Sequence, residues 1–98
     1  MEIIVHSVHV KIDAAFEEYV RAKIQKLRKF MFDEGRAEFI VKREGPQYVT
    51  EISIHTKHSS VFLKEKSENL NKSVELLMDK TKKKLRRLHE KVIDKSLK

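Results

Sequence analysis

Apolar and polar residues alternate along four short segments of the chain, which predicts four β-strands. Residues 2–11 begin with β-branched side chains and continue with a period of two, a pattern typical of a strand. Residues 37–42 and 48–56 predict two more strands, and Gly45-Pro46 between them is a strong turn signal. The fourth strand is predicted over residues 60–66.

Two other segments repeat apolar residues at spacings of three and four, which predicts amphipathic helices. The first helix begins after Asp13, a good N-cap, and runs to about Phe32, with Gly35 as its stop signal. Its apolar face consists of Phe16, Val20, Ile24, Leu27 and Met31. The second helix begins near Ser67 or Glu68 and has no internal breaker. Its apolar stripe consists of Leu70, Val74, Leu77, Thr81, Leu85, Leu88 and Val92.

The element order is therefore β-α-β-β-β-α, and both helices need the same sheet face to bury their apolar stripes. We predict one two-layer α+β domain over residues 1–98, in which two helices cover one face of a four-stranded sheet, as in double-stranded-RNA-binding domains. A helix of about 30 residues spans about 45 Å, whereas four strands span only about 19 Å. The last turns, about residues 93–98, are therefore expected to overhang the sheet and to fray.

Positive charge is concentrated in the second helix. Residues 79–98 hold nine lysines and arginines against three acids, which is +6 of the chain's net charge of +7. No acid lies between Lys80 and His89, so six cations repel one another within ten residues. A polyanion such as RNA would offset that repulsion. On a helical wheel the basic residues flanking the apolar stripe are Lys80, Lys84, Arg87, Lys91, Lys95 and Lys98.

Other interpretations of the basic helix are weaker. A solvated helix face usually mixes its signs, as this chain does only at Glu90 and Asp94. An anionic membrane attracts basic helices, but this apolar stripe has no aromatic residue and is needed to cover the sheet. An acidic protein is a further alternative. RNA is the partner that the pattern favours.

The sequence gives little support to catalysis or metal binding. It has no cysteine, which fits a reducing compartment, and it has neither a glycine-rich phosphate loop nor a nucleophile elbow. His6 and His9 are three residues apart, as are His55 and His58, so on strands each pair points to opposite faces, whereas zinc needs converging ligands. We therefore predict no enzyme, no cofactor and no metal site.

Two signatures along the chain are similar to those of a known family. The first is the segment of residues 10–20, VKIDAAFEEYV, followed by Lys23, Lys26-Leu27, Phe30 and Phe32. The second comprises Glu65, Glu68, Val74-Glu75, Asp79-Lys80 and Leu85 within a basic run. In order and spacing they resemble the ribosome hibernation promoting factors and ribosome-associated inhibitors of translation, over the whole chain. Asn71 stands where many members have tyrosine, and Thr81 where leucine is usual.

This resemblance implies a cytoplasmic ribosome hibernation factor. Such a factor binds the ribosomal RNA of the small subunit in the channel for messenger and transfer RNA, blocks translation and promotes inactive ribosome dimers under stress. The basic C-terminal residues favour the short form of the family over the inhibitor subgroup, which has an acidic tail. The resemblance further implies a monomer off the ribosome, with no membrane partner and no small-molecule substrate. A general double-stranded RNA-binding domain is the alternative.

Carried over by position, the resemblance implies RNA contacts from both helices. The residues concerned are Lys23, Lys26, Arg28, Lys80, Lys83, Lys84, Arg87 and Lys91.

Overall fold

Four strands and two long helices follow one another in the predicted order β-α-β-β-β-α. The computed structural model describes residues 1–31, 33–57 and 59–96, with side chains described as far as residue 90. The elements are β1 (Glu2–Val8), α1 (Ala14–Gln25), a 3-10 helix (Lys26–Phe30), β2 (Arg36–Glu44), β3 (Gln47–His55), β4 (Ser60–Ser67) and α2 (Leu70–Ser96).

The strands form one sheet in the order β1-β2-β3-β4, in which β1 and β2 are parallel and the other neighbours are antiparallel. A two-residue hairpin joins β2 to β3, because Glu44 pairs with Gln47 across Gly45-Pro46. Gly45 has a φ of +58°, whereas the proline ring fixes a negative φ. That combination matches a type II′ turn, which needs positive φ only at its first central residue.

Both helices cover the same sheet face, as predicted. Strand residues of alternate parity point towards them, so that Phe39 pairs with Ile52 and Ile52 with Leu63 on the covered face. Leu77, Thr81 and Leu85 of α2 are buried against this face, as the apolar stripe predicted. The other core residues include Val20, Ile24 and Leu27 from the first helical segment, Ala37, Val41, Ile54 and Val61 from the sheet, and Val74 from α2.

The helix α2 is much longer than the sheet that it covers. Its 27 residues correspond to about 40 Å, and the whole molecule measures 49 × 21 × 16 Å. Its far end therefore extends past the sheet. Residues 97–98 and the side chain of Val92 lie outside the described residues, so the expected fraying of the end stays a prediction.

Local hydrogen bonds and backbone angles fix where β1 ends and where the two helices begin. The strand β1 ends at Val8 rather than residue 11, because His9 has a φ of +57° and leaves the extended conformation. The helix α1 begins as predicted, since Asp13 Oδ1 accepts a hydrogen bond from Phe16 N at 2.8 Å. The helix α2 begins at Leu70 rather than near residue 67, because Asn69 is its N-cap: its Oδ1 accepts from Lys72 N at 3.0 Å.

The first helix also ends earlier than predicted. It tightens into a 3-10 helix at Lys26 and ends at Phe30, and Phe32 lies outside the described residues. Gly35 does not stop the helix but lies in the loop before β2, with a φ of +53°. A Cβ atom there would approach His55 O to 2.7 Å, so the loop needs glycine both for its conformation and for its closeness to β3.

No element of the described residues covers the sheet face opposite the helices, and ion pairs cross this face. The pairs are Lys42–Glu51 at 2.8 Å, Lys66–Glu44 at 3.1 Å and Arg36–Glu2 at 3.3 Å, and His6 Nε2 lies 3.6 Å from Glu38 Oε1.

Candidate nucleic-acid interface

Three lysines line the edge of the first helical segment that faces α2. They are spaced three residues apart, as Lys23, Lys26 and Lys29. Residues three apart are neighbours on an α-helix, and in a 3-10 helix they eclipse each other. The change of helix type at Lys26 therefore keeps the three ammonium groups on one side, towards α2.

The facing side of α2 contributes a lysine to the same place. Lys82 Nζ lies 5.9 Å from the centre of the Phe30 ring, and Lys29 Nζ lies 5.2 Å from the same centre. These distances fit cation–π contacts, which join the two helices through a half-buried aromatic ring. Lys23 Nζ lies 5.6 Å from the ring centre of Tyr19 in a similar contact.

A groove of ≈ 240 Å³ lies between the two helices at this point. Its floor is apolar and its rim carries four lysines against two carboxylates. The lining residues are Lys23, Lys26, Leu27, Lys29, Phe30, Glu75, Met78, Asp79 and Lys82.

A second basic surface lies on the opposite flank of α2, beside β4. Lys80 is on this flank, because its Nζ pairs with Glu65 of β4 at 2.5 Å. Lys84 and Arg87 follow Lys80 by four and seven residues, so they share its side of the helix. Both are exposed, and neither forms an ion pair with a described residue.

The outward side of α2 links the two flanks. Lys83 pairs with Asp79 at 3.3 Å. Further along, Lys83, Arg86, Arg87 and Glu90 surround a shallow hollow of ≈ 180 Å³. Every lysine and arginine from position 80 to position 87 is exposed. Cations therefore surround the solvent side of this part of the helix.

The structure brings together only some of the residues carried over by the resemblance. Lys23 and Lys26 line the groove on the side of the first helical segment, and the lysine that lines it on the α2 side is Lys82. Lys80, Lys84 and Arg87 form a separate flank, and Lys83 lies between the two. The predicted stripe of α2 thus lies on the flank away from α1, and RNA binding by the residues carried over from the family stays a prediction. Lys91 lies outside the residues with described side chains.

Arg28 lies away from both surfaces. Its guanidinium group donates to Met31 O at 3.0 Å and to Glu34 Oε1 at 3.3 Å. Hydrogen bonds from the N-terminal amine and from Arg28 lower the pKa of Glu34. Arg28 therefore holds the loop after the 3-10 helix, and its side chain is engaged within the fold.

The sheet face and the helix face differ in how their charges are compensated. On the sheet face, the hydrogen bond and charge of Glu51 raise the pKa of Lys42, and those of Lys66 lower the pKa of Glu44. On the helix face, Lys84, Arg86 and Arg87 have no acidic partner among the described residues. Among the described residues, the densest run of uncompensated positive charge therefore lies on α2.

The described part of the chain offers neither a metal site nor a membrane-spanning helix. No group of three or more His, Cys, Asp or Glu side chains is arranged there to hold a metal ion. Across the same residues, no helix combines the length and the apolar character needed to cross a membrane.

A comparison with protein families matches residues 3–93 to the model described as "Sigma 54 modulation protein / S30EA ribosomal protein". The chain belongs to this family. It is the family of ribosome hibernation factors that the two signatures resemble, so the predicted family is confirmed. Members of the S30EA family are non-enzymatic factors associated with the ribosome, and this confirms the prediction that the chain is not an enzyme.

Solved structures confirm the fold of this S30EA-family chain. It is similar to the crystal structure of the Protein Y N-terminal domain of Thermus thermophilus, with a TM-score of 0.83 and 20% identity over 90% of this chain and 99% of that one. It is also similar to a ribosomal subunit interface protein from Coxiella burnetii, with a TM-score of 0.77 and 22% identity over 90% and 97% of the two chains. A comparison with curated proteins gave no match.

Sequence reasoning missed three residues that the structure places at the basic surfaces. Lys29 could have been found, because it continues the spacing of Lys23 and Lys26. Lys82 and Phe30 could not, because the wheel of one helix does not show which flank faces the other helix.

Proposed function

We propose that this chain is a ribosome hibernation factor that binds the small ribosomal subunit through its helix face. Its partner is the ribosomal RNA that lines the channel for messenger and transfer RNA. Bound there, it blocks translation, and under stress it promotes inactive ribosome dimers in the cytoplasm. Membership of the S30EA family supports the ribosome as the partner.

The observation that carries the proposal is the difference between the two faces of the domain. Ion pairs compensate the charges on the sheet, whereas exposed lysines and arginines from residue 80 to residue 87 surround the solvent side of α2. Such charges release counterions when they meet phosphates, so they favour a folded RNA as the partner.

The proposed mechanism is occupancy. Phosphate contacts from the lysines and arginines would fix the orientation of the domain on the ribosomal RNA without reading sequence. The body of the domain, 49 Å in its longest dimension, would then fill space that messenger and transfer RNA need. No bond is made or broken in this mechanism, so it needs no catalytic group.

Sedimentation with small ribosomal subunits tests the proposal. We expect the wild type to pellet with subunits, and the double variant Lys84→Ala/Arg87→Ala to bind more weakly. Each lost phosphate contact should also reduce the slope of log affinity against log salt by about 0.7–0.9.

The matched control is Lys57→Ala/Lys64→Ala, which removes the same charge from exposed positions on β4 and the β3–β4 loop. Binding equal to that of the wild type is expected for the control. Equal binding by both double variants at every salt concentration would contradict the proposal. If free duplex RNA competed for the chain as effectively as ribosomes do, the chain would be a general double-stranded RNA-binding domain. If only an acidic protein bound the chain, it would be a protein-interaction module.

A further inference from the structure

Aromatic rings and lysines lie together along the line where α1 meets α2. From the start of α1, Phe16 and Tyr19 lie with their ring centres 6.5 Å apart. Lys23 follows over the Tyr19 ring, and Lys29 and Lys82 follow beside Phe30. We call this line, from Phe16 to Phe30 with the facing side of α2, the helix seam.

The three rings of the helix seam are accessible. Each packs against the hydrophobic core but is only half buried, so part of each ring is exposed. Phe16 and Tyr19 line a hollow of ≈ 380 Å³ together with Asn71 of α2. Phe30 lines the adjoining groove of ≈ 240 Å³, and Glu75 lines both. The rings therefore open onto one continuous surface.

We infer that the helix seam binds a single-stranded segment of RNA, with bases stacked on the aromatic rings and phosphates on the lysines. The inference rests on the proposed function, since it names the form of RNA that part of the same helix face takes. Surfaces that combine a basic groove with spaced aromatic rings are suited to single strands, because unpaired bases expose faces that stack. In a duplex the base faces are stacked on one another, so they are not available to stack on the aromatic rings.

The carboxylates in the helix seam support a single strand over a duplex. Glu75 and Asp79 lie on the α2 wall beside Lys82, opposite the lysines of the first helical segment. Asp79 pairs with Lys83 at 3.3 Å, so Glu75 is the carboxylate of the two without an ion pair to a described residue. A duplex entering the seam would bring phosphates against both walls, and the carboxylates would repel them. A single strand can place its backbone along the lysines and turn its bases towards the carboxylates, which accept hydrogen bonds from base amino groups.

The length of the helix seam fits a short strand. Phe16 to Phe30 covers most of α1 and the 3-10 helix, which is about 23 Å at their rises per residue. That corresponds to at most about seven nucleotides at the duplex spacing of about 3.4 Å along one strand, and to fewer in an extended single strand. The flank of Lys84 and Arg87 remains available for duplex phosphates. One surface of α2 would therefore bind single-stranded RNA and the other double-stranded RNA.

Tyrosine fluorescence tests the inference without changing the helix seam. The chain has two tyrosines and no tryptophan, so Tyr48→Phe leaves Tyr19 as the only tyrosine emitter. A base that stacks on Tyr19 should quench its emission. We expect saturable quenching by a single-stranded RNA of about ten nucleotides, and much less by the duplex of the same sequence. Equal quenching by both, or none by the single strand, would overturn the inference.

Affinity measurements by fluorescence anisotropy add a second readout. Phe30→Leu should weaken binding of the single strand about 5- to 150-fold, which corresponds to the loss of one base stack, and leave duplex binding unchanged. Glu75→Gln should lower the ratio of single-strand affinity to duplex affinity, because it removes a carboxylate that repels duplex phosphates. If both variants kept the wild-type ratio of affinities, the inference would be wrong. If Phe30→Leu fails to fold by circular dichroism, the Tyr19 experiment still decides.

Ribosome sedimentation separates this inference from the proposed function. Failure of the wild type to pellet with small subunits would contradict the proposed function. Normal pelleting together with unquenched Tyr19 emission would contradict the helix seam alone.

Discussion

Thr81 is a polar residue at the centre of an apolar helix stripe. It is fully buried, and its hydroxyl group donates to Leu77 O at 2.7 Å. That carbonyl already accepts the helical hydrogen bond from the backbone N–H of Thr81. The hydroxyl therefore gains an acceptor, but the carbonyl would be paired without it. Burial of the hydroxyl is therefore a cost that the local bond only partly offsets.

We predict that Thr81→Val will raise the free energy of unfolding by about 0.5–1.5 kcal/mol. Valine keeps the branched shape and removes the hydroxyl, and the Leu77 carbonyl keeps its backbone partner. Urea denaturation measures the change. As a reference for the same stripe, Leu85→Ala should lower the free energy of unfolding by about 2–5 kcal/mol. A loss of stability in Thr81→Val would show that the hydroxyl bond is needed.

At the scale of an element, the start of α2 is fixed by side-chain hydrogen bonds. Asn69 caps the helix through Lys72 N, and Ser67 Oγ accepts from Asn69 N at 3.1 Å, which orders the turn out of β4. The first turn of α2 contains no acidic residue that would favour its dipole. The cap is therefore the main local support of this helix end.

Asn69→Ala should lower the free energy of unfolding by about 0.5–2 kcal/mol, because it leaves a backbone donor of the first turn without its acceptor. Asn71→Ala is the matched control, since Asn71 is exposed and lies inside the helix. Thermal or urea unfolding compares the two. Equal stability of both variants would mean that Asn69 is not the effective cap.

The periodicity of apolar residues predicted the elements well because each element buries one side. The same signal could not fix their ends. His9 ends β1 because its φ is positive, which its residue type alone does not predict. At the start of α2, the sequence offers Ser67, Glu68 and Asn69 as possible first residues, and the hydrogen bond to Lys72 N identifies Asn69 as the cap. Nor could periodicity orient the basic residues. Lys80 and Lys82 occupy opposite flanks of α2, and only the packing of α1 shows which flank lines a groove.

On the scale of the whole molecule, the ion pairs of the sheet face and of the loop before β2 make stability depend on pH. Glu34 and Glu44 have a lower pKa in the fold than the ordinary 4.5. Their contribution is present above that value and is lost as the pH falls through the lowered pKa. Lys42 has a pKa raised above 10.5. Its contribution is present below 10.5 and is lost as the pH rises through the raised pKa.

The free energy of unfolding should therefore decrease on both sides of a plateau between the ordinary pKa values of 4.5 and 10.5. Urea denaturation across this range measures the profile. In Glu34→Gln/Glu44→Gln we expect a smaller loss of stability on the acid side, because glutamine does not titrate. A double variant that follows the wild-type profile in acid would show that other carboxylates control this limb.

The unequal compensation of charge on the two faces also gives the molecule a direction in an electric field. One face is nearly neutral and the other strongly positive, so the domain has a dipole directed across its two layers. Near a polyanion, the electric field exerts a torque on this dipole, which turns the helix face towards the polyanion before any contact is made. A collision in any starting orientation can then become productive, which raises the association rate. Because added salt shortens the reach of the field to about 8–10 Å, the orienting effect belongs to the approach, and the lifetime of the complex depends on the contacts formed afterwards.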